Sequence, residues 1–214
     1  MYLPSHFEEA RLDVLHRFVL NHPFGLLVTL SGSGIDANGI PFLLDPDGPA
    51  GFGTLRAHVA RANPVWREAR TDIDALAVFQ GPHAYISPTW YASKAEHGKV
   101  VPTWNYCVVQ ARGPLRVVDD PGWVRTLVTR LTERHEAPRA APWAIGDAPA
   151  DYIETMLRAI VGIEIPLVSL TGKWKLSQNR PAADRDGVIR GLGEQPGDGA
   201  RALARQVARP GEAS

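Results

Sequence analysis

Between Val118 and Val124 the hydrophobic period of this chain changes. Up to Val118 the apolar residues come in short runs that suit strands, and the longest is Trp104–Val118, "WNYCVVQARGPLRVV", which Gly113-Pro114 breaks as a bulge or bend. From Asp119 the text reads "DDPGWVRTLVTRLTERHE", with an Asp cap, Pro121 at the first helical position, and Val124, Leu127, Val128 and Leu131 at helical spacing. Strands grouped together, with helices at the start and after them, argue against an alternating βαβ domain, and so against a Rossmann fold. They favour an α+β barrel or sandwich.

The rest of the chain fits that frame. Residues 8–21 place Leu12, Leu15 and Val19 on one face of an amphipathic helix. Strand patterns follow at Phe24–Leu30, on both sides of the Asp45-Pro46-Asp47-Gly48 turn, at Ala75–Gln80 and at Ala84–Ser87. Pro64 limits "HVARANPVWREAR" to a short helical or irregular piece. A second late helix is expected at about 149–160, with Ile153, Met156, Leu157 and Ile160 inward. One final strand follows in "VGIEIPLVSLTGKW", with Ile163, Ile165 and Leu167 inward. The count is about seven strands. Residues 1–190 are expected to form one domain, and 191–214, rich in Gly, Ala, Arg and Pro, a mobile tail.

Composition narrows the partners. Lys+Arg and Asp+Glu both number 23, so the formal net charge is zero and nothing global draws nucleic acid or an anionic membrane. The N-terminus lacks the pattern of a signal peptide, and no run approaches about 18 apolar residues. Cys107 is the only cysteine, in an apolar run that suits a buried, inert thiol. A cytoplasmic protein with no direct nucleic-acid contact and no membrane contact is expected.

The usual catalytic signatures are absent, and the seven histidines show no i, i+4 metal pair. No metal is expected and no catalytic residue can be named. Three stretches carry chemistry. In "AHVARANP", His58, Arg61 and Asn63 follow a strand and suit an anionic phosphate; a solvated turn is the plainer reading. In "GKWKLSQNR", alternation puts Trp174 and Leu176 inward and leaves Lys173 and Lys175 on the opposite face, able to hold an anion or a partner's acid. The third is the pair Pro88-Thr89-Trp90 and Pro102-Thr103-Trp104, which brackets the polar excursion "YASKAEHGKVV". Its rings suit a planar heteroaromatic ligand, a subunit interface or plain core packing.

The segments "MYLPSHFEE", "HVARANPVW", "FQGPHAYISPTWY", "VPTWNY", "GIEIP" and "GKWKLSQNR" resemble, in order and spacing, the PaiB-like family of FMN-binding negative transcriptional regulators, over about residues 1–192. The resemblance implies a split β-barrel of the pyridoxamine-phosphate-oxidase type, a homodimer, and FMN in clefts at the subunit interface. It puts the FMN phosphate at His58, Arg61 and Asn63, near Thr54, and the isoalloxazine along Asn38, Ile40 and Pro41. Trp104 and Asn105 take the part of the partner subunit, and Lys173, Lys175, Ser177, Gln178 and Asn179 cap or touch the ring. His83, Tyr85, Trp90 and His97 border the side of a small-molecule substrate. One departure is Gly39, where family members often carry His; a glycine there is expected to open space for a ring edge. The implied function is a redox-active flavoprotein. An indirect transcriptional regulator with a flavin sensor, or a barrel holding haem or a deazaflavin, are the alternatives.

Overall fold

A computed structural model describes residues 1–211 and contains ten strands and seven α-helices among them, an α+β chain. After a 3-10 turn come the two-residue strand β1 (Glu8–Glu9) and helix α1 (Leu12–Asn21). α1 buries Val14, Leu15, Phe18 and Val19, one face of a helical period. Leu12, expected on that face, is exposed at the first turn. β2 (Phe24–Ser31) and β3 (Gly34–Pro41) form a hairpin in which Ser31 pairs with Gly34. Gly34 has φ +120°, a conformation that residues with a Cβ rarely adopt. β4 (Leu43–Asp45), β5 (Thr54–Ala60) and the one-turn helix α2 (Val65–Glu68), which starts after Pro64, follow.

β6 (Ala75–Ile86) is one strand, where the sequence suggests two. Gly81-Pro82 does not break it; Gly81 instead lets the Phe18 ring lie against the backbone, since a Cβ there would fall 2.7 Å from that ring. The excursion contains a 3-10 turn at Pro88–Trp90 and helix α3 (Ser93–His97) before β7 (Thr103–Gly113) and β8 (Arg116–Val118), separated at Gly113-Pro114 as expected. Helix α4 (Pro121–Glu136) begins at the Asp120 cap, whose carboxylate accepts the Trp123 N–H at 2.6 Å. Helix α5 (Ala150–Arg158) buries Leu157 alone, and Met156 points outward. The single strand expected next is two, β9 (Ile160–Pro166) and β10 (Ser169–Lys175). The expected tail from Gly191 is instead the end of α6 (Ala182–Glu194) and all of α7 (Asp198–Ala208). These helices pack on each other and bury Val188, Leu192, Leu203 and Val207, an apolar stripe hidden in an Ala- and Arg-rich text. Among the described residues no helix is long and apolar enough to cross a membrane.

The chain divides into two compact units. Of the described residues, the first holds Met1–His22, Phe79–Gln110 and those from Leu170 to Gly211. Here the strand order is β1-β10-β7-β6, with Glu8 opposite Lys173 and Glu9 opposite Gly172. Phe79, Ile86, Cys107, Val109, Trp174 and Leu176 fill its core. Burial pushes the Cys107 thiol up to about 12, so it is inert in the folded chain.

The second unit holds Pro23–Val78 and Ala111–Ser169. In it β2 lies between β3 and the start of β6, and a four-stranded sheet runs β4-β5-β9-β8. Leu55 pairs with Ile165 and Ala57 with Ile163, all buried, while α4 sets Leu127 and Leu131 on Leu43. Asp45 joins these parts, because its carboxylate accepts from Arg56 on β5 and from both terminal nitrogens of Arg130 on α4. Arg56 also donates from Nε to Glu164 on β9 at 2.9 Å. Asp45 is only 19% exposed, so the network is screened less than a surface pair. Asp45→Ala should cost about 1.5–3 kcal/mol, read as a lower urea midpoint. A loss below about 0.5 kcal/mol would make the network incidental.

Candidate functional site

In the second unit, β3 is an edge strand, so one row of its backbone groups has no ladder partner. Beside it and β5 lies a pocket of about 340 Å³, lined by Asn38, Ile40 and Pro41 on one side and by His58, Val59 and Asn63 on the other. A volume of that size is at the lower end of small-ligand sites. The two amides are already engaged: Asn63 Nδ2 donates to Asn38 Oδ1, Asn63 Oδ1 accepts the Val65 N–H, and Asn38 Nδ2 donates to Asp36, each at 2.9 Å. They brace the wall. His58 is different, for its Nδ1 is buried without a hydrogen-bond partner. Burial also holds its pKa below 6.5, which keeps the imidazole neutral at pH 7. His58 and Pro41 also line a second cavity of about 320 Å³, whose far wall is Leu131, His135 and Glu136 of α4 with Trp143.

Two residues expected at a phosphate are engaged elsewhere. Arg61 holds Asp119 with both terminal nitrogens, at 2.9 and 2.6 Å, and donates to the carbonyls of Arg158 and Ile160 at 2.8 and 3.1 Å. Asp119 raises the pKa of the guanidinium and is itself held below the usual carboxylate range by it. Thr54 is buried, and its hydroxyl reaches the Asp47 carbonyl at 3.4 Å. Among the described residues, no free cation lines the pocket. Gly39 itself lines the pocket, but the place a side chain would take there is filled, since a Cβ would meet the Phe24 ring at 2.8 Å. Phe24, which is 70% exposed, fills that side. Neither Asp119 nor Phe24 was marked by sequence, because Asp119 reads as part of a cap and Phe24 as the start of a buried strand.

The first unit collects the other candidates. His83, Tyr85 and Trp104 form an exposed ring cluster, with Trp104 centroids 6.1 Å from His83 and 6.3 Å from Tyr85. Trp90 does not join it. Its indole and carbonyl lie on Gly191 and Gly187 of α6, where a Cβ would fall 2.3 and 1.8 Å away. The excursion is pinned again by Asp184, whose buried carboxylate accepts from the Ser93 N–H at 2.9 Å and the Ser93 hydroxyl at 2.8 Å. His97 is on its exposed side and accepts the Lys99 N–H at 3.0 Å.

Along β10 Trp174 and Leu176 are buried as alternation expects, but Lys173 is buried too, and only Lys175 is partly exposed. Lys173 Nζ donates to the Tyr2 carbonyl at 2.9 Å and lies near the Tyr2 and Tyr106 rings. Gln178 folds back on its own turn, accepting the Leu176 N–H at 2.7 Å and donating to the Trp174 carbonyl. Lys175, Ser177 and Asn179 meet Asn105 around a cavity of about 120 Å³. Tyr91 and Thr103, which sequence reasoning passed over as part of the excursion, also line it. The predicted residues thus fall into two groups, one in each unit.

Residues 1–169 match the family described as "Putative FMN-binding domain". A protein of Emericella nidulans is 34% identical over 99% of this chain and 98% of its own length. Protease synthase and sporulation protein PAI 2 of Bacillus subtilis is 31% identical over 95% of each chain. Among solved structures, a conserved hypothetical protein from Mycobacterium tuberculosis superposes with a TM-score of 0.58 at 12% identity, covering 85% of this chain and 94% of that one. At such identity the likeness speaks for fold alone, and the fold is the split β-barrel that the sequence suggests.

The buried His58 gives a pH signature. Its folded pKa lies below the ordinary 6.5, so the unfolded chain takes up the proton first as pH falls. The associated stability is present above about 6.5 and is lost as pH drops through the folded value. Urea midpoints should therefore decline between about pH 7 and 5.5, and His58→Gln should flatten that decline. An unchanged slope in the variant would show that His58 is not the group titrating.

Proposed function

We propose a function from one premise: this chain belongs to the FMN-binding family that its residues 1–169 match. The cofactor is flavin mononucleotide, and the pocket between β3 and β5 takes the ring system. The observation that carries this reading is His58, a neutral imidazole with an unpartnered buried nitrogen, lining a pocket whose other face is an edge strand. Ile40, Pro41 and Val59 supply apolar contact. The unpaired backbone groups of β3 and His58 Nδ1 supply the hydrogen bonds that fix orientation. Arg61 is a positioning residue here, tying the end of β5 to the start of β9 through Arg158 and Ile160.

When bound, the flavin supplies hydride or single-electron transfer. The chain's part is to bind and orient it and to keep an uncharged imidazole beside it. Two copies form the working unit, with the exposed His83, Tyr85 and Trp104 rings as the surface that a second copy covers. A second reading, a flavin sensor in indirect negative control of transcription, is favoured by the likeness to a sporulation protein.

The purified protein should show the paired visible bands of a flavin, or gain them on adding FMN. A colourless protein that FMN does not restore, or one with a Soret band, would overturn the reading. His58→Leu should weaken FMN and riboflavin by the same factor, about three- to tenfold, since only a ring contact is lost. Equal affinity in the variant would remove His58 from the site. Anaerobic titration with NADH or NADPH then separates the two readings: bleaching on the timescale of turnover requires a redox enzyme, and none is expected of a sensor.

A further inference from the structure

The 120 Å³ cavity of the first unit has an electrostatic imbalance that the flavin pocket lacks. Lys175 has no carboxylate within ion-pair distance among the described residues. Its ammonium donates to the Thr103 hydroxyl and, at 2.9 Å, to the Trp104 carbonyl. The charges it feels are Lys173 and Arg180, both positive, and with burial they lower its pKa. Arg180 lies over the Tyr91 ring at 4.8 Å; Asp184 acts on it electrostatically, and the oxygens of Asp184 already accept from Ser93.

The neutral groups point the same way. Asn105 is 1% exposed; its Nδ2 donates to Ser177 Oγ at 2.9 Å, and its Oδ1 has no partner. Ser177 Oγ and Thr103 Oγ1 each accept a hydrogen bond, so each hydroxyl proton is left for another acceptor. The buried Tyr91 hydroxyl makes no hydrogen bond of normal geometry, and the group acting on it is the Arg180 guanidinium. Ser177 has φ +62°, alone in the left-handed region among described residues other than glycine. Backbone strain of this kind collects at binding sites.

We propose that the cavity bounded by Asn105, Lys175, Ser177 and Arg180 is a binding site for a phosphate group, inorganic or carried as a monoester. Two cations and three hydroxyls converge on a small volume, which is more donors than a planar carboxylate satisfies and suits tetrahedral phosphate oxygens. The protonated oxygen of a phosphate monoanion donates to Asn105 Oδ1, the one acceptor left over. The proposal is independent of where the flavin ring lies. The phosphate belongs either to FMN or to a separate phosphorylated substrate, and the test distinguishes them.

The test compares the wild type with Lys175→Met and with Asn105→Asp, which keeps size and shape but adds a negative charge. Calorimetry follows inorganic phosphate, and absorbance follows FMN against riboflavin. Near-UV circular dichroism shows which variants keep the native fold. Either variant should weaken phosphate binding about ten- to a hundredfold. If the variants lose FMN affinity but not riboflavin affinity, the group is the flavin's own phosphate. If phosphate binding is lost and both flavins bind as before, it belongs to a separate substrate. The proposal is overturned if the wild type neither binds phosphate nor prefers FMN to riboflavin, or if a folded variant keeps both properties. Loss of riboflavin binding in the wild type would instead count against the flavin reading.

Discussion

The second unit depends on one carboxylate. Asp45 ends a strand of three residues, too short to hold its place by ladder hydrogen bonds alone, and it receives two arginines from β5 and α4. Arg56 passes the link on to Glu164 in β9, so four elements share one network of charge-assisted bonds. Such a network is worth little when fully solvated and more when partly buried, which is where Asp45 sits. Its position matters for the site, since β5 carries His58 and α4 forms the far wall of the cavity that His58 also lines. The pocket is as rigid as this joint.

Local chemistry was legible in the sequence where one residue fixes the backbone. Pro121 after Asp120 gave the start of α4, and Gly113-Pro114 gave the gap between β7 and β8. The two strands suggested at Ala75–Gln80 and Ala84–Ser87 are one because the glycine between them, Gly81, marks close approach of another group, Phe18, far away in sequence. The C-terminal helices were hidden for a compositional reason: Gly187 and Gly191 look like breakers, whereas their missing side chains are what lets Trp90 dock. At the site, residue type was a better guide than partner. Arg61 does make a two-pronged charge-assisted contact, but with Asp119 of its own chain. Alternation placed Lys175 away from the core and could not show that no carboxylate among the described residues pairs with it.

The two units offer contrasting chemistry. Beside β3 every amide is engaged, the imidazole is uncharged, and the lining is apolar, an environment for a flat ring with few polar demands. Around Asn105 the reverse holds: a lysine with no ion pair among the described residues, hydroxyl protons left for another acceptor and one buried acceptor without a donor. An unpaired buried polar group costs about 1–3 kcal/mol, so a structure that keeps several together is one in which a ligand recovers that loss.

The docking of Trp90 on α6 has a dynamic consequence. Its indole and carbonyl fit a notch that exists only while Gly187 and Gly191 are on one helical face, and Ser93 is held by Asp184 one turn earlier on that helix. Opening the excursion therefore exposes α6, and fraying α6 releases the excursion. The two segments, about ninety residues apart in sequence, should exchange their amide hydrogens as one cooperative unit.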